Sequence, residues 1–253
     1  MSNLLFCEWE RMISKKTTRT IIILLPILLI FFLLTLKIGK YDYSHGTPIN
    51  SLNFSVFLLS KLFFIINMII IPIISIDSLN NEYASGSLRM VAIRPLKILN
   101  ILLSKWLLWI LAIVGLMIII WLIGLLGNNI SPHVQSTKFY FENAANYDGR
   151  DAFIYQIKYY VFILLIMIAS LGISSLISVI TPNAIIAYIV YFVGVMSLMY
   201  VKQEFALFTV GDKFLFDYFH QGAELRILLF LFSIIIFTYL LSLFIWRKRN
   251  WMR

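Results

Sequence analysis

The sequence has a single cysteine, Cys7, which excludes a disulfide framework and a cysteine-rich metal site. Histidine is nearly as scarce: His45, His133 and His220 fall in three separate polar segments, a distribution that does not build a shared metal site. Charge is sparse as well. Asp, Glu, Lys and Arg make up 13% of the 253 residues against 61% hydrophobic, too little charge for a soluble surface and too much apolar material for a soluble core. No G-x-x-x-x-G-K-[ST] occurs; the Gly-Lys pair at Gly39-Lys40 lacks a glycine five residues before Gly39, so the chain has no ATP-cradling loop of that kind. There is no H-E-x-x-H, and apart from Lys61 there is no convincing carboxylate or histidine within an apolar run, which argues against intramembrane catalysis and against proton or ion coupling.

What the chain does have is long apolar runs. Spans are expected at about 20–36, 54–76, 95–127, 159–180, 184–200 and 227–246, each long enough to cross roughly 30 Å of hydrocarbon. The fold expected is an all-α integral membrane protein with six transmembrane helices. The first run follows a charged stretch without a small-residue cleavage site and reads as a retained span. An even number of spans puts both termini on one side. With the termini in the cytoplasm, twelve Lys and Arg lie inside and eight outside, and the formal charge is +8 inside and zero outside, as cationic loops are retained in the cytoplasm. The basic balance is thereby accounted for by topology and anionic lipid, without nucleic acid. Trp106, Trp109 and Trp246 fall near inner span ends and are expected at the headgroup boundary. Residues 1–19 are expected to form an amphipathic interfacial helix, with Leu5, Trp9, Met12 and Ile13 on one face and Glu8, Arg11 and Lys15 on the other. Residues 247–253 form a basic tail.

The polar loop 77–95, and within it the stretch NNEYASGSLRMVAIRP at 80–95, separates two long apolar runs. Gly86 permits a sharp bend, Ser87 can cap a following turn, Pro95 suits a first helical turn, and Leu88, Met90 and Val91 put apolar contact beside Glu82, Arg89 and Arg94. Such a mixed surface suits docking on another protein. The order Glu82, Gly86-Ser87, Leu88, Arg89 and Pro95, followed by Lys105, resembles the loop between the second and third spans in membrane subunits of type-2 ATP-binding-cassette exporters, and the six-span layout extends the resemblance along the chain. Ser87 stands where threonine is commoner, and Leu96 where a small or basic residue is more usual. The resemblance implies that Glu82, Tyr83, Gly86, Ser87, Leu88, Arg89, Arg94 and Pro95 form a coupling element seated on an ATPase subunit. It also implies two copies of that ATPase, carrying ATP and Mg, a second permease chain, identical or homologous, short helices before the last span, and residence in a bacterial cytoplasmic membrane. This chain would bind no cofactor itself. The cargo implied is amphiphilic: an antimicrobial peptide, a lipid-like molecule or a drug. A secondary transporter or channel, or a non-transporting sensor subunit, are the alternative readings.

Several polar residues sit within the apolar runs. Asn53, Ser60 and Asn67 recur every seven residues along one face of the second span, with Lys61 adjacent. Lys61 either faces a pathway or subunit contact or snorkels toward the outer surface. The resemblance raises Ser60, Lys61, Asn67, Tyr188, Tyr191 and Ser197 as candidates for pathway or subunit contact. Ser170, Ser174 and Ser178, every four residues in the fourth span, suit close helix packing. Residues 201–226 mix charge with aromatics and are expected to dip into the outer interface, while NYDGRD at 146–151 reads as a turn.

Overall fold

The computed structural model describes residues 2–38, 41–42, 47–82, 98–127, 131–139 and 146–248. It is 87% helical and has six helices long and apolar enough to cross a membrane. The protein is thus an all-α, multi-pass membrane protein. In chain order the helices are α1 (Ser2–Ser14), α2 (Lys16–Ile38), α3 (Phe54–Asn81), α4 (Ile98–Gly127), α5 (Gly149–Ile180), α6 (Ala184–Val201), α7 (Leu207–His220) and α8 (Glu224–Lys248). Two short hairpins, β1 (Tyr41–Asp42) with β2 (Thr47–Pro48) and β3 (Ser136–Thr137) with β4 (Tyr147–Asp148), lie in the connections flanking α3, α4 and α5.

Two helices form the spine. In the most apolar stretch of α3, 67% of residues are buried inside the protein, and in α5 61%, against 28% in α4, 22% in α8, 17% in α6 and 11% in α2. The difference follows from composition. Small and hydroxyl-bearing residues on α3 and α5 let neighbours come close and satisfy one another where lipid cannot. Ser75 of α3 meets Ser174 of α5, oxygen to oxygen, at 2.7 Å, and Ser170, Ser174 and Ser178 are all fully buried. Where α4 crosses α3, a Cβ on Gly124 would lie 2.5 Å from Ser55 Cβ and 2.7 Å from its Cα, so the approach of the two backbones requires glycine.

α3 is interrupted midway. Pro72 has no N–H to give to the carbonyl four residues back, and the turn before it widens into a π-helical stretch, Ile66–Ile70. Hydroxyls from α6 come to the carbonyls there: Tyr191 O–H donates to Asn67 O at 3.2 Å, and the Tyr188 hydroxyl lies 3.5 Å from Met68 O. A second π stretch, Asp77–Asn81, follows, and Glu82 after it is still helical.

Several sequence expectations are revised. Trp106, Trp109 and Trp246 are not at a lipid boundary. They are 4%, 2% and 1% exposed and belong to the packed interior, Trp106 against the Tyr239 ring at 4.9 Å. The helix that carries the fourth apolar run begins earlier, at Gly149, because Ala152, Tyr155, Gln156 and Tyr159 recur at helical spacing and are all buried. NYDGRD is accordingly the end of a strand and the first turn of α5, not a free turn. Asn53 does not lie along α3 with Ser60 and Asn67. It precedes the helix in a reciprocal pair, in which Asn50 Oδ1 accepts from Asn53 N, Asn53 Oδ1 accepts from Asn50 N, and Asn53 Nδ2 reaches Thr137. The segment expected to dip only into the interface instead packs deep against the spine as α7. Asn67 Nδ2, in the middle of α3, donates to Phe208 O at 2.6 Å, and Gly211 lies against Phe63 and Ile166.

Candidate functional site

At the end of α3, where the polar loop begins, six charged side chains from three segments converge. Glu8 and Arg11 come from α1, Lys15 from the junction of α1 and α2, Asp77 and Glu82 from the end of α3, and Lys105 from α4. Lys105 is the hub. It is 1% exposed, and its ammonium lies 2.7 Å from Glu8 Oε2, 2.8 Å from Glu82 Oε2 and 3.1 Å from Ser78 Oγ, a full set of three partners for its three protons. Arg11 bridges Glu8 at 3.0 Å and Glu82 at 3.4 Å. Lys15 spans Glu82 at 2.8 Å and Asp77 at 3.3 Å, and Asp77 also accepts from Thr17 at 3.0 Å and Asn81 at 2.6 Å. Among the described residues three acids answer three bases, which is the condition for holding charge out of water.

The local sequence explains the convergence. Glu8, Arg11 and Lys15 are three and four residues apart and share one face of α1. Asp77, Ser78, Asn81 and Glu82 recur on one face at the end of α3. Burial pushes the Glu82 carboxyl up, and the ammonium groups of Lys105 and Lys15 outweigh that cost, so it titrates below its ordinary range. A depressed carboxyl contributes its tether fully above the ordinary carboxylate range and loses it only as pH falls through its own lowered value. Cys7, exposed on α1, offers a native reporter. A spin label there is expected to keep its mobility down through about pH 4, the range of an ordinary Glu, and to loosen below it. Loosening well above that range would show that Glu82 does not hold α1.

The cluster corrects one expectation. The charged face of α1 was expected to be the wet face of an interfacial helix; instead Glu8 is 6% exposed and points into the protein, while Phe6, Trp9 and Ile13 face outward. Glu82 stands in the cluster. Tyr83, Gly86, Ser87, Leu88, Arg89, Arg94 and Pro95 lie outside the described residues. The six polar candidates of the spans divide. Ser60 Oγ donates to Asp212 Oδ2 at 2.7 Å, and Asn67 and Tyr191 are buried in the α3–α6–α7 contact described above. Lys61 and Tyr188 are partly buried, and Ser197 faces outward with its hydroxyl turned back on Gly194 O at 2.9 Å. Sequence reasoning missed Glu8, Asp77 and Asp212 as interior groups. The signal for Glu8 was its shared face with Arg11 and Lys15; Asp212 had none, because α7 reads as too polar to enter the bilayer.

The arrangement ties α1, α3 and α4 together through ion pairs and the Ser78 hydroxyl. Residues 4–198 match the family model described as ABC-2 family transporter protein. No curated protein and no solved structure matches the chain.

Proposed function

Since this chain belongs to the ABC-2 transporter family and is a permease component of an ABC transporter, we propose that it is an exporter subunit driven by a separate ATPase. It pairs with a second permease chain, identical or homologous, and two ATPase copies supply the work. Residues 82–95 receive that work, and both termini lie on the ATPase side of a bacterial cytoplasmic membrane. The cargo is an amphiphile drawn from the cytoplasm or its leaflet.

The observation that supports this reading most directly is the buried charge cluster, because it closes on Glu82 at the point where the loop leaves α3 and on Lys105 soon after it returns. A loop pushed by a partner moves the spans only if its base is rigid. Buried, fully paired charges give a rigid base at a cost in desolvation that an idle surface loop has no reason to bear. ATP and Mg fall to the partner, since the chain has no G-x-x-x-x-G-K-[ST] to cradle phosphate.

Affinity purification in mild detergent tests the reading. A soluble ATPase is expected to co-elute with the permease. Recovery of the permease alone, under conditions that keep an unrelated transporter complex intact, would remove the ATP-driven reading.

A further inference from the structure

We infer that Asp212, with Ser60 and Tyr159, forms a binding site for a primary ammonium group carried on an apolar chain. The location is the first reason. Asp212 sits on α7, which rises alongside α3 from the depth of Asn67, and it contacts Ser60 about 9 Å along the helix from Phe54. A carboxylate within the apolar thickness of a membrane protein is costly unless a cation or water answers it. Among the described residues Asp212 has no ion pair; Ser60, a neutral hydroxyl, takes its Oδ2, and its other oxygen has no partner. Asp212 is only partly buried, so that oxygen can be reached.

The neighbours set the ligand class. Tyr159 is fully buried, lies beside Ser60 and in the field of Asp212, and makes no well-formed hydrogen bond of its own. The spot gathers one carboxylate and two hydroxyl oxygens whose lone pairs can face a cation. An ammonium brings three donors on a compact head and can use several such oxygens at once. A guanidinium is a poorer match, because its planar fork gains most from two free carboxylate oxygens and one here is already occupied. Apolar packing surrounds the group: Gly211 rests against Phe63 and Ile166, and Phe216 stacks on Tyr159 at 5.2 Å. A cation on a hydrocarbon chain suits such a place and a small hydrated ion does not. Two sources share this chemistry, a free amphiphile in transit and a lipid with an amino headgroup. Only the naming of the ligand as cargo rests on the permease reading; the site does not.

The test uses the purified full chain in phosphatidylcholine nanodiscs, with dodecylammonium as probe and dodecyl sulfate as the anionic control. The wild-type chain is expected to bind dodecylammonium saturably. Asp212→Asn keeps the shape and an acceptor for Ser60, and is expected to weaken binding about ten- to a hundredfold. Ser60→Ala, which leaves the charge in place, is expected to weaken it less. Adding phosphatidylethanolamine separates the sources: competition in wild type but not in Asp212→Asn assigns a lipid headgroup, and the absence of competition assigns a free amphiphile. Equal binding by wild type and Asp212→Asn, equal binding of the sulfate, or no binding at all would overturn the site. Failure to recover an ATPase with ammonium binding intact would overturn the ATP-driven exporter reading and leave the site standing.

Discussion

Replacing Lys105 with methionine is expected to destabilise the protein by about 3–5 kcal/mol, because it leaves two carboxylates, Glu8 and Glu82, buried side by side without their shared cation. Arg11 still reaches both at the edge of the cluster, but it is four times more exposed than either acid and cannot replace a cation that is 1% exposed. The measurement is thermal unfolding in nanodiscs at neutral pH. A triple variant separates charge from shape. With Glu8→Gln and Glu82→Gln added to Lys105→Met, no carboxylate is left buried at the hub; Arg11 loses both of its acids but is 26% exposed and reaches water, so part of the lost stability is expected to return. An unchanged unfolding temperature in the single variant would mean that Lys105 is solvated in the native protein, contrary to its burial.

The second large effect concerns coupling. Glu82→Gln keeps the side-chain shape and leaves Lys105 paired with Glu8, so the fold is expected to survive. What it removes is the carboxylate that joins Arg11, Lys15 and Lys105 at the exit to the loop. Under the proposed function, the assembled complex is expected to keep its ATPase subunits while cargo-stimulated ATP hydrolysis and transport fall about tenfold or more, the size of a typical coupling free energy of 1–3 kcal/mol. The two readouts divide the outcomes. Lost assembly would make Glu82 a docking residue, and full activity with full assembly would mean that the joint at the loop base carries no work.

How much of this was legible beforehand depended on whether the information was local. The six spans could be read because hydrocarbon thickness sets helix length directly, and their order could be counted from the apolar runs. Helical periodicity likewise grouped Glu8, Arg11 and Lys15 on one face. It could not say which way that face points: the deciding partner, Lys105, is 97 residues away in the chain. With Lys105 absent, the same face would belong in water. Asp212 was hidden for a similar reason. Its segment is too polar to cross a bilayer alone, and it packs on α3 because Gly211 lets α7 lie against Phe63 and because Asn67 offers an amide to the Phe208 carbonyl. The extension of α5 down to Gly149 was missed because Arg150, Asp151 and Lys158 mask an interior stripe formed by Ala152, Tyr155, Gln156 and Tyr159. Charged residues there occupy the outward faces of a helix whose other side is packed.

The interruption of α3 at Pro72 divides that helix into two rods with different attachments. The lower rod ends in the charge cluster; the upper one carries Ser60 and its contact with Asp212. Glu82 and Ser60 are 22 residues apart, roughly 33 Å along the axis. Between them, the tyrosine hydroxyls of α6 grip the backbone at the break itself. Under the proposed function, a push on the lower end of α3 is expected to be taken up at this weakened turn, beside a neighbouring span, before it reaches Ser60.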